Sequence, residues 1–277
     1  RVLYIKKYKE GVIIMKKILL IILSLLMLAV SCGNDKSKNT KLEKLVVAAT
    51  PIPATELLNL VKDDLKLQGI ELEIVTFNDY VQPNKALQEK SIDANLFQHT
   101  PYMVNFGKKN GFEMVAVGKI YLPAMALYSK KFKTLDQLPN SATIFVPNDP
   151  TNLTRALLLL EQKGLIKLKQ NAVSLDDITE NHKGFKFVQL AADQIAPRYG
   201  EADAAFITGS YALDNNLNPK TNGILSEDKN SPYVNVLVTL KGRENEEKIQ
   251  KLLKVLQSDK VKKYINSKYK DVIIPVF

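Results

Sequence analysis

The chain has 277 residues, 45% hydrophobic and 25% charged, which is typical of a globular protein with one large domain or two smaller lobes. A single cysteine and two histidines exclude an intramolecular disulfide and a closed structural zinc site. Residues 1–45 hold ten lysines and arginines against three acidic residues, so only +3 of the net charge of +10 belongs to residues 46–277. That nearly neutral body gives no support to nucleic-acid binding.

The N-terminal region has the pattern of a bacterial lipoprotein leader. Lys16 and Lys17 precede an apolar run over residues 18–30 that is shorter than the roughly 20 residues of a membrane-spanning helix. Residues 28–32, at the end of the run, read LAVSC, which resembles a lipobox with Cys32 at the cleavage point. We therefore predict a signal peptide over residues 15–31, and a lipidated Cys32 that opens a flexible tether over residues 32–44. A secretory signal with an incidental cysteine is the alternative.

Residues 1–14 precede a Met-Lys-Lys start that already makes a complete signal peptide. We expect Met15 to be the true initiator. Residues 1–14 would then be the in-frame translation of untranslated mRNA that precedes the start codon. Those residues are left out of the predictions of fold.

After the tether, apolar runs and helical spacings alternate along the chain. The first half predicts strands at 45–50, 71–77, 92–97 and 112–120, with helices at 57–65, 83–87 and 102–109. Pro123 then interrupts an apolar run, which indicates a crossing between lobes. The second half predicts strands at 142–146, 185–190, 204–208 and 233–240, with helices at 153–163, from 210 and around 249–256.

This alternation predicts an α/β protein with a mainly parallel sheet. The interruption near Pro123 and the apolar strand at 233–240 predict two lobes joined by two hinge crossings. We assign residues 45–125 plus 235–277 to lobe I and residues 126–234 to lobe II. Ligands of open α/β sheets bind beyond the carboxyl ends of the strands, so the loops there are the first places to search for a site.

Aromatic side chains cluster after two neighbouring strands of the first lobe. Tyr80 follows the strand at 71–77, and Phe97, His99 and Tyr102 lie at or after the end of the next one. Such clusters are more often core than pocket, and His99 could be a structural histidine. Their position at strand ends, rather than within strands, favours a pocket.

Asn152 and Arg155 lie near the predicted start of the helix at 153–163. With Thr151 or Asn152 as the N-cap, Arg155 falls in the first turn, where a cation opposes the helix dipole. An anion bound by Arg155 and the free N–H groups would remove that penalty, and a guanidinium suits a carboxylate. The alternative is that Arg155 pairs with a protein carboxylate such as that of Asp149.

Asn235 is a polar residue inside the apolar strand of the second crossing. A buried asparagine needs hydrogen-bond partners, which either the backbone or a ligand could supply. The sequence contains no Gly-x-Ser-x-Gly elbow, no phosphate-binding glycine loop and no His-Glu-x-x-His motif. We therefore predict a binding protein without catalytic residues, cofactor or metal.

Four stretches of the chain resemble the methionine-binding lipoproteins, which are the substrate-binding subunits of methionine ABC importers. The stretches are FNDYVQPNKAL, IDANLFQHTPY, VPNDPTNLTRALLLL and EDKNSPYVNVLVT, and the similarity runs from about residue 45 to the C-terminus. The resemblance implies the type 2 periplasmic binding protein fold and closure of two lobes over methionine, L- and also D-. It further implies a monomer, tethered by lipid to the extracytoplasmic face of the membrane, that works with permease and ATPase subunits.

The resemblance also implies which side chains hold the ligand. They are Tyr80, Phe97, His99 and Tyr102 around the thioether, Asn152 and Arg155 at the carboxylate, and Asn235 and the residue at position 208 at the amino-acid head. Members of this family usually have asparagine where this chain has Thr208, and a hydroxyl offers fewer hydrogen bonds than an amide. Another apolar amino acid or a methionine-containing dipeptide therefore stays open as the ligand. Because fold alone does not fix function, an enzyme or a surface adhesin on the same scaffold is the competing class, and the lack of a nucleophile with a base weighs against the enzyme.

Overall fold

The structure is a computed structural model that describes Met15, residues 42–270 and residues 272–277. The predictions made for residues 1–14, for the signal peptide beyond Met15, for Cys32 and for the tether as far as residue 41 lie outside the described residues. None of the helices in the described part of the chain is both long enough and apolar enough to cross a membrane.

Strands and helices alternate through most of the described chain. In chain order, the strands are β1 (Glu43–Ala49), β2 (Ile70–Thr76), β3 (Ala94–His99), β4 (Met114–Pro123), β5 (Ala126–Tyr128), β6 (Thr143–Pro147), β7 (Ile166–Leu168), β8 (Ile178–Asn181), β9 (Lys186–Leu190), β10 (Ala204–Ile207), β11 (Gly223–Ser226), β12 (Asn235–Leu240) and β13 (Ile273–Pro275). The α-helices are α1 (Glu56–Lys66), α2 (Gln82–Gln88), α3 (Thr100–Asn110), α4 (Pro150–Gln162), α5 (Ala192–Arg198), α6 (Gly209–Asp214), α7 (Glu247–Leu256) and α8 (Asp259–Tyr269).

Within the described residues, the strands form two large sheets and one small hairpin. The first sheet has the order β13-β4-β12-β3-β1-β2, the second has the order β11-β5-β10-β6-β9, and β7 pairs with β8. The chain passes from the first sheet to the second between Pro123 and Ala126 and returns between Ser226 and Asn235. The two predicted crossings are therefore present, and the assignment of the two halves as separately moving lobes stays a prediction.

The expectation of a mainly parallel sheet is wrong, because both sheets are mixed. The βα units at the start of each half give parallel pairs, such as β1 with β2 and β6 with β9. The strands at the crossings enter in the opposite direction: β12 is antiparallel to β3 and β4, and β5 is antiparallel to β10. β5 and β12 enter their sheets directly from the other half of the molecule, without the helical crossover that joins parallel neighbours.

Each sheet is covered by helices that carry one apolar stripe. On α4, Leu153, Ala156, Leu157 and Leu160 follow the helical spacing, and all are buried in the core of the second sheet. On α7, Ile249, Leu252 and Leu256 are buried in the core of the first sheet, as the sequence predicted.

The tether was predicted to extend to residue 44, but β1 begins at Glu43. Glu43 donates its backbone N–H to the carbonyl of Gly69, and Glu43 and Lys44 are in register with Ile70 and Glu71 of β2. Both side chains are exposed, so apolar patterning did not reveal that their backbone belongs to the sheet.

Candidate functional site

A cavity lies between the two sheets, close to both crossings. Its walls contain all eight side chains that the sequence singled out as ligand contacts, together with Gln98 and Pro123. The centre of a water-sized sphere can occupy ≈ 10 Å³ of this cavity, and all the space between the wall atoms, open solvent included, is ≈ 270 Å³. Which of these side chains contact a ligand stays a prediction.

The wall on the side of the first sheet is built by the end of β3 and the start of α3. All six residues of β3 are buried, because β1 and β12 pair with its two edges. Pro101 lies in the first turn of α3, a position that proline favours, and His99 caps that helix by accepting a hydrogen bond from the N–H of Tyr102. The junction between strand and helix therefore places Phe97, His99 and Tyr102 on one side of the cavity.

Three aromatic rings form the apolar part of that wall. Ring centroids are 5.7 Å apart for Tyr80 and Phe97, and 6.0 Å apart both for Phe97 and Tyr102 and for Tyr80 and Tyr102. These distances are typical of interacting rings. Burial raises the pKa of the Tyr80 and Tyr102 phenols well above the ordinary value, so both stay neutral. The cluster both packs as core and faces the cavity.

His99 is held as a neutral Nε2–H tautomer. Its Nδ1 accepts from the N–H of Tyr102 at 3.2 Å, so the proton lies on Nε2, which donates to Oδ1 of Asn152 at 3.1 Å. Burial and the nearby Arg155 guanidinium lower the pKa of His99 to about 3. With both ring nitrogens occupied, His99 has no lone pair free to act as a base, and it links the two sides of the cavity instead.

The wall on the side of the second sheet comes from α4, and here the predicted N-cap was wrong. Asp149, rather than Thr151 or Asn152, caps the helix by accepting from the N–H of Asn152 at 2.9 Å. Pro150 then occupies the first turn and Arg155 lies in the second turn. The argument from the helix dipole therefore does not apply to Arg155. Asn152 also donates through Nδ2 to the Asp149 carboxylate, at 3.0 and 3.3 Å.

Arg155 pairs with a protein carboxylate, as one interpretation of the sequence held, but the partner is Glu227 and not Asp149. Nε and Nη2 donate to the two oxygens of Glu227, each at 2.5 Å, and Nη2 also donates to the Pro123 carbonyl at 2.9 Å. The Arg155 and Glu227 side chains are 1% and 5% exposed, so the pair is buried. Nη1 contacts Oδ1 of Asn152 at 3.4 Å.

Asn235 has the backbone partner that one interpretation expected. Its Nδ2 donates to the Phe97 carbonyl at 2.8 Å and to the Tyr121 hydroxyl at 3.3 Å. The register of β12 explains this, because Asn235 lies opposite His99 on β3 and Tyr121 on β4. Within the described residues Oδ1 of Asn235 accepts no hydrogen bond, so this oxygen is available to a ligand at the cavity wall.

Thr208 lies at the start of α6 and closes the cavity from the second side. Its hydroxyl is 2.9 Å from the Tyr80 hydroxyl, which belongs to the other half of the molecule. Gly209 allows this approach, since a Cβ there would lie 2.9 Å from the carbonyl oxygen of Ala124. Only glycine lets α6 lie this close to the first crossing.

The sequence prediction did not include four residues at or behind the cavity wall. Gln98 and Pro123 line the cavity, Glu227 pairs with Arg155, and the Tyr233 ring lies 4.8 Å from the Arg155 guanidinium carbon and 5.1 Å from the His99 ring. Gln98 is a polar residue inside an apolar strand, and that pattern could have identified it. Glu227 and Tyr233 lie about 75 residues from Arg155 along the chain, so no local pattern connected them.

Two mixed sheets, joined by two crossings around a small cavity with apolar and polar walls, define a two-lobed substrate-binding protein of the periplasmic type. The NlpA lipoprotein family matches residues 45–277, and the chain belongs to that family. This confirms the resemblance and the fold class that the sequence motifs indicated.

Named relatives and a solved structure agree with this assignment. The chain is 42% identical over 237 residues to a D-methionine-binding lipoprotein MetQ of Escherichia coli, a match that covers 84% of this chain and 87% of that protein. It is 38% identical over 272 residues to the methionine-binding lipoprotein MetQ of Bacillus subtilis, covering 95% and 99%. A nutrient-binding protein of Burkholderia cenocepacia, solved bound to methionine, is 38% identical with a TM-score of 0.81, covering 84% of this chain and 100% of that one.

Proposed function

We propose that this protein is an extracytoplasmic solute-binding protein that captures methionine, L- and also D-, and delivers it to an ABC importer. The observation that carries the proposal is the cavity itself, in which an aromatic wall faces a buried arginine across a space closed by both halves of the molecule. The methionine-binding relatives, which this chain matches over most of their length, support it.

The apolar wall suits the side chain of methionine. A thioether is polarizable and gains about 0.3–1.5 kcal/mol from contact with an aromatic ring. Tyr80, Phe97 and Tyr102 offer three such rings within 6.0 Å of one another. We place the thioether among these rings.

The polar end of the cavity suits a zwitterionic amino-acid head. Nη1 of Arg155 faces the carboxylate in this arrangement, with Asn152 beside it. Oδ1 of Asn235 accepts from the ammonium group, and we place the Thr208 hydroxyl, which is bonded to Tyr80 on the same cavity wall, at that group as well. Such groups fix the orientation of a ligand, while the rings select its side chain.

The burial of the cavity walls indicates how the ligand gets in. Phe97, Arg155 and Asn235 are each no more than 3% exposed, so the walls move outward before binding and close again afterwards. We propose that lobe I, residues 45–125 plus 235–277, and lobe II, residues 126–234, move apart about the two crossings. The hydrogen bonds of Tyr80 with Thr208 and of His99 with Asn152 then break and re-form.

The remaining parts of the proposal concern the cellular setting. A signal peptide over residues 15–31 and lipidation of Cys32 would tether a monomer to the extracytoplasmic face of the membrane, where it meets permease and ATPase subunits. We propose binding without chemistry, so methionine is released unchanged.

The test is native mass spectrometry and calorimetry of the chain without residues 1–32, after unfolding and refolding to strip any ligand. We expect one methionine per chain, recovered at its original mass, and tighter binding of L-methionine than of alanine or leucine. Phe97→Ala should reduce the preference for methionine over alanine. Absence of methionine binding would contradict the proposal. Binding of another apolar amino acid, or of a methionine-containing dipeptide, in its place would keep the solute-binding role and change the assigned ligand. Binding of a protein partner in the absence of any small ligand would favour the adhesin.

A further inference from the structure

Glu227 occupies a position that joins the cavity to both crossings. Its carboxylate accepts four hydrogen bonds: from Nε and Nη2 of Arg155 at 2.5 Å each, from the N–H of Met125 at 2.9 Å and from the Ser231 hydroxyl at 3.2 Å. Met125 lies in the first crossing and Ser231 in the second. The carboxylate is therefore fixed by backbone as well as side chain, and it holds the guanidinium in one orientation.

This arrangement determines how many N–H donors of Arg155 are left for a ligand. A guanidinium carries five N–H donors. Among the described residues, Nε and Nη2 donate to Glu227 and Pro123, and one N–H of Nη1 faces Asn152 at the long distance of 3.4 Å. The second N–H of Nη1 has no protein partner in the described chain. Glu227 thus turns the other edge of the guanidinium away from the cavity and presents Nη1 to it.

The same pairing determines the charge of the cavity. Arg155 is the only lining side chain of the described residues that carries a formal charge, because His99 is neutral and the others are uncharged. The Glu227 carboxylate lies directly behind it and balances that charge, while the half-buried Asp149 carboxylate behind Asn152 adds a negative charge that solvent partly screens. A buried site with balanced charge favours a ligand whose own charges cancel, since any net charge would remain uncompensated away from water.

We propose that Glu227 is the positioning residue that determines charge selectivity, so that the cavity accepts zwitterions and rejects ligands with a net negative charge. This rests on the proposed function of the same cavity. Without Glu227, the full charge of Arg155 would face the ligand, and an anion that lacks an ammonium group would become a favourable partner. Coulomb interactions at such separations are strong in a weakly polarizable interior, so the effect on selectivity is expected to be large.

The experiment compares two probes of nearly equal shape. L-Methionine is net neutral at neutral pH, whereas L-2-hydroxy-4-(methylthio)butanoate has a hydroxyl in place of the ammonium group and carries one negative charge. Calorimetry gives the ratio of Kd for the hydroxy acid to Kd for methionine. In Glu227→Gln we expect this ratio to fall about tenfold or more relative to the unsubstituted chain.

Two controls separate charge from structure. Asp228→Asn removes one negative charge from the next residue, which is exposed, and should leave the ratio unchanged because solvent screens that charge. Glu227→Asp keeps the charge in a shorter side chain, so it should weaken both ligands and keep the selectivity against the anion. A merely structural role for Glu227 would weaken both ligands equally in Glu227→Gln as well.

If Glu227→Gln does not fold, Ser231→Lys provides the test instead. This variant places an ammonium beside the Glu227 carboxylate and keeps the bonds to Arg155. We expect the ratio of Kd for the hydroxy acid to Kd for methionine to fall at least about threefold. An unchanged ratio in folded Glu227→Gln, or in Ser231→Lys if Glu227→Gln does not fold, would overturn the inference. Failure of the unsubstituted chain to bind methionine would instead overturn the proposed function on which it rests.

Discussion

At the scale of single residues, His99 shows how neighbours fix a protonation state. Its Nδ1 is an acceptor for a backbone N–H and its Nε2–H is a donor to Asn152, so a second proton would have to break the first of these bonds. Burial and the Arg155 charge oppose that proton as well, and they hold the pKa near 3. His99 is therefore suited to connecting two walls of a cavity and not to acid–base chemistry.

We expect His99 to stay neutral from about pH 8 to about pH 5, while the same residue titrates near 6.5 in the unfolded chain. Below pH 6.5 the unfolded chain therefore binds a proton at His99 that the folded chain does not bind. The contribution of His99 to the free energy of unfolding is complete above about pH 6.5 and is lost progressively as the pH falls towards 3. The loss approaches about 1.4 kcal/mol per pH unit within this window.

Proton NMR can check this directly, because the chain has only two histidines. His182→Asn assigns the two Cε1–H resonances by removing one of them. The resonance of His99 should not move between about pH 8 and about pH 5. A sigmoidal shift with a midpoint above pH 5 would contradict the assigned tautomer and its hydrogen bonds.

At the scale of elements, the N-terminus of α4 connects helix stability to the cavity. Asp149 caps the helix and also holds the Asn152 amide, whose oxygen faces His99 and Arg155. Asp149→Ala should therefore lower the free energy of unfolding by about 1 kcal/mol, which is typical of a lost cap. It should also weaken ligand binding about fivefold to tenfold, because Asn152 loses its orientation.

Ser258→Ala is the matched control for that variant. Ser258 caps α8 by accepting from the N–H of Val261, and it lies outside the cavity wall. Urea unfolding should show a loss of stability in both variants, whereas calorimetry should show weaker binding for Asp149→Ala alone. Equal affinities in the two variants would mean that the cap of α4 serves only the helix.

The elements also show which parts of the structure local sequence can predict. Apolar spacing located β1, α1, β3 and α4 to within a few residues, because each of these buries one stripe or both faces. The direction of β12 was not predictable in this way, since it depends on a partner strand more than 100 residues away. The partner of Arg155 was missed for the same reason, and the cap of α4 was misassigned because Asp149 and Thr151 are both good capping residues.

At the scale of the whole molecule, several hydrogen bonds join the two halves across the cavity. One of them lies outside the cavity wall: the Tyr211 hydroxyl of α6 donates to the carbonyl of Asn78 at 2.9 Å. Because the proposed opening of the lobes would break it, this bond should stabilise the closed form without contacting the ligand. Its contribution to binding would then be indirect, through the equilibrium between open and closed forms.

Tyr211→Phe tests this idea, because it removes the hydroxyl and keeps the ring. A neutral hydrogen bond contributes about 0.5–1.5 kcal/mol, so we expect Kd to rise about threefold to tenfold for every ligand alike. Dissociation should be faster and association nearly unchanged, since the bond forms only after closure. The selectivity between methionine and other amino acids should stay the same.

Tyr128→Phe provides the comparison, since the Tyr128 hydroxyl is buried in β5 without a hydrogen-bond partner in the described residues. Both variants lose one buried phenol oxygen, but only Tyr211→Phe loses a bond between the halves. If ligand affinity depends on closure, Tyr211→Phe should weaken binding and Tyr128→Phe should not. Equal affinities in the two variants would show that this bond persists in the open form, and the hinge motion would then have to leave α6 attached to the loop that carries Asn78.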